Sequence, residues 1–338
     1  MAHCIQLAKL GAGNVAPNPM VGAVLVYEDK IIGEGYHKKY GGPHAEVNCI
    51  NNVDAGNKLL IEQSTLYVSL EPCAHHGKTP PCSDLIIKNK IKKVVIGCRD
   101  IYEKVAGKGI EKLQNAGVET VTGFLEKESI ELNKRFFTFH QKKRPFIILK
   151  WAQSANRKIG SQENKRILIS NEYSNRLVHK WRSEEAGILA GTNTVLKDDP
   201  LLTTRLWKGK NPVRILIDKK LKLPLSQKIF NEDSRTIIFN LHKNTLEKNC
   251  QFIKLENNNS LNEILHSLFE NDIQSILVEG GTKTLQSFID EGLWDETRII
   301  TNEELIIEDG ISAPEMKNFI SVKEEKYFSD LIHFYQRK

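Results

Sequence analysis

Three side chains spread along this sequence have the right types to hold a metal, and a fourth stands where it can move a proton beside it. His44 lies in the stretch GGPHAEVNCI (41–50), two residues before Glu46, while Cys73 and Cys82 bracket a loop in SLEPCAHHGKTPPC (69–82). Zinc prefers imidazole and thiolate ligands, and a catalytic zinc keeps three protein ligands and leaves its fourth position to water. His44, Cys73 and Cys82 make up such a set. Zinc lowers the pKa of its bound water toward ~7, and a carboxylate alongside can then shuttle protons. The Gly-Gly-Pro break before His44 predicts a helix start that puts the ligand and Glu46 on one turn, and a helix N-terminus stabilises a thiolate.

Taken singly, these residues have plainer roles. His44 suits an ordinary polar position, Glu46 suits a helix N-terminus whose dipole it counters, and cysteines are commonly small buried hydrophobes. Their order is more telling: His-x-Glu, a strand, Pro-Cys and a second Cys is the pattern of zinc deaminases acting on nucleobases, in which the Glu is a general acid and base and not a ligand. One departure stands out, because eight residues separate Cys73 from Cys82 where that pattern has two. A purely structural zinc is an alternative, but three ligands beside a Glu leave water a place that a closed four-ligand site does not.

The elements that must position these groups read as alternating helices and short apolar strands, so the fold class is α/β. In the first part the spacing predicts a helix over residues 2–11, two β-rich runs turning at Glu28-Asp29-Lys30, and a helix from about Ala45. The strand TLYVSL, the helix SDLIIKNK, the strand KKVVIG and the helix GKGIEKLQNAG follow, the last closing on Gly117. A cationic run, Lys142-Lys143-Arg144, precedes Pro145 and a new strand, FIILKWA, which places a domain boundary near residue 143. Beyond it come strands at GILAG, VRILID, RTIIFN and SILVEGG, with helices at NEYSNRLVHKWR, LNEILHSLF and TKTLQSFIDEG. Two α/β domains are expected, 1–143 and 144–338, with no internal repeat relating them.

Composition narrows the function classes. With 338 residues, 40% hydrophobic and 27% charged, the chain is that of a globular protein with room for two cores. The opening lacks a basic segment followed by an apolar one, and no stretch reaches the ~18 apolar residues of a membrane span, so a cytoplasmic protein is expected. Six irregularly spaced cysteines do not form a secreted disulfide framework. The net charge of +6 divides evenly, 18 basic and 15 acidic residues in 1–142 and 30 and 27 in the rest. That evenness, without aromatic-basic clustering, argues against a nucleic-acid-binding or editing protein and fits small phosphorylated ligands.

HAEVNCI together with YVSLEPCAHHGKTPPC and the upstream PNPMVGAVLV closely resembles the bifunctional riboflavin-biosynthesis deaminase–reductases, over nearly the full length. The resemblance implies a cytidine-deaminase-like three-layer α/β/α domain ahead of a dihydrofolate-reductase-like α/β domain. It also implies zinc-dependent deamination of 2,5-diamino-6-(5-phosphoribosylamino)pyrimidin-4(3H)-one, followed by NADPH-dependent reduction of the ribosyl group to ribityl. In the first domain it assigns zinc to His44, Cys73 and Cys82, proton relay to Glu46, and substrate contacts to Asn18, His37, His75, Lys78 and Thr79. Lys78 would anchor the substrate, with His76 and Gly77 in the same loop; as a bare loop residue it is otherwise a solvated cation. Asn18 offers a pyrimidine edge both donor and acceptor, or is simply a turn former between two prolines.

The resemblance continues in RPFIILKWAQSANRKI, GILAGTNTVLKDDPLLTTRL and ILVEGGTKTLQSFIDEG. A strand ending at Glu279, the Gly280-Gly281 pair and a helix start form a cradle for a cofactor diphosphate, or merely a strand-to-helix turn. By resemblance, Ala152, Thr194, Asp198, Gly281, Thr282, Lys283 and Thr284 line the NADPH site, and Arg182, Leu202, Arg205 and Glu279 hold the substrate. An arginine fork suits phosphate, although each arginine is otherwise a surface ion-pair partner. Lys165 and Arg166 are candidates for reading the cofactor's 2′-phosphate. Three departures mark this chain: Asn156-Arg157 where the family has Asp-Gly, Arg166 to Ser170 in place of Ser-x-Trp-Ile-Thr, and Ile101-Tyr102 in place of Pro-Asn after Asp100. They motivate an alternative in which the deaminase is active and the second domain is a non-catalytic module. A homo-oligomer, dimer or tetramer, is expected.

Overall fold

The apolar runs assemble into two separate sheets in the computed structural model, which describes residues 1–75, 80–102, 106–163, 167–257 and 260–338. Two compact units result, Met1–Lys143 and Arg144–Lys338. In the first, α1 (Ala2–Lys9) leads into the hairpin of β1 (Gly22–Tyr27) and β2 (Lys30–Tyr36). Its turn residues, Glu28 and Asp29, both have positive φ (44° and 62°), the mirror-image turn whose twist matches paired strands. Then come α2 (Ala45–Asn51), β3 (Thr65–Leu70), α3 (Cys82–Lys88), β4 (Lys93–Cys98) and α4 (Lys108–Asn115). The unit closes with β5 (Glu119–Thr122), α5 (Glu126–Leu132) and α6 (Lys134–Lys142).

The sheet order is β2-β1-β3-β4-β5, with β1 antiparallel to both neighbours and β3, β4 and β5 parallel. One face buries Leu25, Val68 and Ile96 under α2, α3 and α4. On the other, α1 meets α5 through Ile5, Ala8 and Leu132, and at the ends of β3 and β4 Phe136 and Phe137 of α6 pack on Leu70 and Cys98. The result is three layers.

Just past β3, Glu71 is buried (4% exposed) and its carboxylate gathers four backbone amides. Oε2 accepts from Asp100 and Gly107, both at 3.1 Å, and Oε1 from Gly109 at 3.0 Å and Ile110 at 3.3 Å. The end of β3 is thereby tied to the start of α4. Gly109 permits that approach, since a Cβ there would fall 1.9 Å from the Pro72 carbonyl oxygen. The Glu of the EPC motif is therefore a structural clamp that fixes the segment from which Cys73 hangs.

The second unit runs β6 (Phe146–Ser154), β7 (Lys158–Ser161), α7 (Glu172–Glu184), β8 (Gly187–Gly191), α8 (Thr192–Asp198), β9 (Val213–Ile217) and β10 (Thr236–Asn240). It continues with β11 (Thr245–Glu247), β12 (Cys250–Lys254), α9 (Leu261–Glu270), β13 (Ser275–Val278), α10 (Thr282–Asp290) and β14 (Glu296–Asn302). Strands β15 (Gly310–Ser312), β16 (Phe319–Tyr327) and β17 (Asp330–Arg337) end the chain. Ten strands pair as β11-β12-β10-β9-β8-β13-β6-β14-β17-β16, and β15 pairs with β7. From β12 through β14 every pair is parallel, which sets the C-terminal ends of β6, β13, β8 and β9 along one edge. Ligands of open α/β sheets bind at such an edge. Arg144, the last residue of the cationic run, is no solvated linker: it grips Asp295 with two bonds of 2.6 and 2.8 Å. Among the described residues no helix is long and apolar enough to cross a membrane.

Glu71→Ala strands four amides in a closed interior, where each unsatisfied group costs about 1–3 kcal/mol before relaxation. We expect the unfolding free energy of the first unit to fall by roughly 3–5 kcal/mol in a urea titration. A loss below about 1 kcal/mol would mean that the amides find other acceptors.

Candidate metal centre and ligand cleft

His44 caps α2 with extended backbone, Cys73 sits three residues past β3, and Cys82 is the first residue of α3. Their ligand atoms all lie within 4.8 Å of one another. His44 Nδ1 is 3.6 Å from Cys73 Sγ and 3.3 Å from Cys82 Sγ. Bonds of about 2.0–2.3 Å around a tetrahedral zinc place neighbouring ligand atoms roughly 3.3–3.8 Å apart, so both the donor types and their spacing fit zinc. A hydrogen bond from Cys82 and then the contact with His44 hold the Cys73 thiol well below its ordinary range, while the Cys82 thiol is driven up. One thiolate is thus favoured before any cation arrives.

Glu46, in the first turn of α2, is 3% exposed and lies within hydrogen-bonding reach of Cys82. Burial raises its pKa against the opposing pull of His44, making it a carboxyl able both to take and to give a proton. Beside it, the His37 ring stands edge-on to His44 at 5.4 Å. Its Nδ1 is 2.9 Å from the Pro43 carbonyl, which can only accept, so the proton is on Nδ1 and Nε2 accepts from Asn18 Nδ2 at 3.1 Å. Burial lowers the His37 pKa, in keeping with this neutral ring. The Asn18 loop is itself clamped by Asn133, whose side chain pairs with both the Met20 amide (2.8 Å) and the Met20 carbonyl (2.9 Å). His75 is exposed at the start of the long loop; His76, Gly77, Lys78 and Thr79 lie outside the described residues.

In the second unit, a cleft of about 1130 Å³ opens along the C-terminal strand edge. Of the residues expected at a cofactor or substrate site, Thr194, Asp198, Gly281, Thr282, Lys283 and Thr284 line it, as do Arg182, Leu202 and Glu279. Thr194 Oγ1 accepts the Gly281 amide at 3.0 Å, joining the starts of α8 and α10. Ala152 packs against the apolar cluster under α7, and Arg205 is exposed three residues beyond Leu202. Lys165 and Arg166 lie outside the described residues.

The floor carries a buried charge cluster that the sequence reading did not assemble. Arg182 grips Glu279 through Nε (2.7 Å) and Nη2 (2.9 Å), and Lys150 Nζ approaches the same carboxylate at 3.4 Å. Burial alone would raise Glu279, but Arg182 and then Lys150 outweigh it and hold the carboxyl down at about 2. The Arg182 fork orients Glu279, and Arg182 itself lines the cleft. Lys150 was visible only as one cation inside the apolar run FIILKWA.

The departures are accommodated locally. Arg157 adopts φ 58°, the left-handed geometry a glycine supplies without strain, and Asn156 braces the turn through Ser154 and Ile307. Ile167 lines the cleft, Ile169 is buried, and Leu168 is 75% exposed. Ile101 and Tyr102 pack against the Phe136–Phe137 cluster, Tyr102 lies 4.9 Å from the His140 ring, and Asp100 accepts the Tyr102 amide. Burial raises Asp100 to about 6.

Residues 1–98 match the cytidine and deoxycytidylate deaminase zinc-binding region, and residues 145–303 match the RibD C-terminal domain. Riboflavin biosynthesis protein RibD of Aquifex aeolicus is 43% identical, over 100% of this chain and 97% of its own length. The RibD protein of Actinobacillus pleuropneumoniae is 40% identical over 87% of this chain and 80% of its own. A diaminohydroxyphosphoribosylaminopyrimidine deaminase/5-amino-6-(5-phosphoribosylamino)uracil reductase from Thermotoga maritima superposes with a TM-score of 0.90 at 37% identity, covering 100% of this chain and 97% of that one. RibD of Acinetobacter baumannii does so with a TM-score of 0.89 at 28% identity and the same coverage.

Two measurements check these sites. Cys73→Ser replaces a thiolate with a poor zinc ligand, and metal analysis of the purified variant should show zinc content falling from near one per chain to near zero. Glu279→Gln leaves Lys150 and Arg182 buried without a counter-charge, and should cost about 3–5 kcal/mol in chemical denaturation near neutral pH. The folded pKa of Glu279, about 2, lies below the roughly 4.3 of an unfolded Glu, so its contribution is present above ~4.3 and lost as pH falls toward 2. The gap between wild type and variant should close over that window; a gap independent of pH would assign the loss to packing.

Proposed function

The chain belongs to the RibD family of riboflavin-biosynthesis deaminase–reductases, and on that premise we propose how its residues divide the two reactions. It is a bifunctional enzyme, a zinc-binding deaminase domain followed by an NADPH-dependent pyrimidine reductase domain. Residues 1–143 release ammonia from 2,5-diamino-6-(5-phosphoribosylamino)pyrimidin-4(3H)-one, and residues 144–338 reduce the ribosyl group of the product to ribityl. The observation that carries the reading is the convergence of His44, Cys73 and Cys82 beside buried Glu46.

His44, Cys73 and Cys82 hold zinc, which supplies water activated at neutral pH. Glu46 takes one proton of the attacking water on a carboxylate oxygen and gives it to the pyrimidine ring nitrogen, then takes the second proton of that water and gives it to the leaving amine, which departs as ammonia. Because Asn18 Nδ2 is engaged by His37, its Oδ1 is left to accept from the pyrimidine edge. His75, Lys78 and Thr79 contact the substrate, Lys78 as its anchor.

In the reductase, NADPH supplies hydride. Gly281, Thr282, Lys283 and Thr284 cradle its diphosphate at the start of α10, with Ala152, Thr194 and Asp198 as further contacts. Arg182, Leu202, Arg205 and Glu279 hold the phosphorylated substrate, Glu279 kept ionised and oriented by Arg182. The enzyme acts on a small molecule and not on nucleic acid, in the cytoplasm, as a homo-oligomer.

Purified protein given the aminopyrimidine and NADPH should release ammonia and then oxidise NADPH. Glu46→Gln should retain zinc, lose ammonia release by about 10²–10⁴-fold, and still oxidise NADPH when given the deaminated substrate. Ammonia without NADPH oxidation by the wild type would remove the reductase half of the reading, and ammonia release retained by the variant would remove the role of Glu46.

A further inference from the structure

The segment between α8 and β9 lies along the C-terminal half of α7, and that helix holds it at three points. Arg182 Nη1 donates to the Thr203 carbonyl at 3.3 Å. Ser183 meets Gly209 so closely that a Cβ there would fall 2.4 Å from the serine Cβ. Between them, His179 Nδ1 accepts the backbone amide of Arg205 at 2.9 Å.

His179 is 5% exposed, and being three residues from Arg182 it shares one face of α7. Accepting at Nδ1 requires the ring's one proton to be on Nε2, so the imidazole is neutral. Burial, then the charges of Arg182 and Arg205, keep it so by lowering its pKa to about 4. The Arg205 guanidinium is steadied as well, since Nη1 donates to Thr203 Oγ1 at 3.2 Å. Leu202, at a left-handed φ of 50°, turns the chain between the cleft wall and this pair of contacts.

We infer that His179 is a positioning residue for anion recognition: by accepting the Arg205 amide it fixes the Leu202–Arg205 segment, so that the Arg205 guanidinium selects the phosphorylated form of the reductase substrate. The inference rests on the assignment of Arg205 to that substrate. Arg182 is engaged with Glu279, and Arg205, the other arginine assigned to the substrate, is exposed. Other bonds fix the segment elsewhere: Thr204 bonds Asn211 and Lys210, and Arg214 holds the Leu201 carbonyl. Loss of the His179 acceptor therefore removes the hold on the Arg205 backbone amide without releasing the segment.

The test uses the full-length protein and compares 5-amino-6-(5-phosphoribosylamino)uracil with its dephosphorylated riboside as reductase substrates. His179→Leu should raise KM for the phosphorylated compound about tenfold, leave kcat within about twofold and leave the riboside KM unchanged, so that selectivity collapses. His179→Asn, which restores an acceptor, should recover most of it, and ammonia release should stay at the wild-type level in both. Thr203→Val removes the hydroxyl that steadies the guanidinium and should lower the same selectivity, which keeps the test open if the leucine variant does not fold. Equal losses on both substrates, or unchanged selectivity in the variants that fold, would overturn the inference. A wild-type enzyme that does not discriminate between the two would remove the assignment of Arg205 itself, and the role of His179 with it.

Discussion

Parallel pairing brings a strand end to the same kind of place in both units, and in each the next residue is a buried glutamate whose partners govern what can be built around it. After β3, the Glu71 carboxylate is satisfied by four amides from the loop beyond β4 and the start of α4. After β13, the Glu279 carboxylate is satisfied by two cations, Arg182 and Lys150. A buried carboxylate must be paired, and its pairing decides its use. Glu71 has no lone pair left for chemistry, so it locks a backbone path and lets Cys73 hang at a fixed place. Glu279 faces a cleft and is held ionised at a defined angle, a charge ready for a ligand.

The sequence made the metal centre legible because zinc ligation depends on residue type and order, which survive in one dimension. His44, Cys73 and Cys82 met as expected. A strand, two glycines and a helix start likewise follow one another at Gly281, on the wall of the second unit's cleft. What escaped were contacts made by unremarkable residues across long chain separations. Lys150 joins Glu279 only because β6 and β13 are neighbours, and Asn133 reaches Met20 from 113 positions away. Helix α8 was missed because its seven residues, TNTVLKD, carry too few apolar positions for a period. The β16–β17 hairpin was missed because β16 is exposed nearly throughout and is rich in Lys and Glu, so it lacks the buried alternation that marks a strand.

The departures from the family pattern bear on how much of the reductase survives them. Arg157 shows that a backbone conformation can outlive the residue best suited to it: the turn keeps its left-handed φ, at a cost of order 1 kcal/mol, and Asn156 braces it with three hydrogen bonds. Where an aromatic wall was expected, Leu168 points to solvent and Ile167 takes the place at the cleft. The wall is thus replaced by a smaller apolar contact, which alters packing against a ligand without touching the Arg182–Glu279–Lys150 cluster. Tyr102 likewise turns its ring to His140 and packs on the Phe136–Phe137 cluster.

Charge balance separates the two sites further. A divalent zinc with two thiolates would be neutral as a unit, and burial raises the pKa of Glu46 beside it. Such a centre exerts little pull on a neutral pyrimidine ring, so orientation must come from directional hydrogen bonds, and the Asn18–His37–Pro43 chain fixes one of them by committing the Asn18 amide group and leaving its carbonyl oxygen. The floor of the second unit's cleft is different: Arg182 and Lys150 share the Glu279 carboxylate, and neutral His179 on α7 adds no charge of its own. Taken alone, that three-residue cluster carries one excess positive charge, and a charge in a low-dielectric wall acts over a longer range than one at the surface. That excess favours an anionic ligand over a cationic one at the Arg182–Glu279–Lys150 cluster.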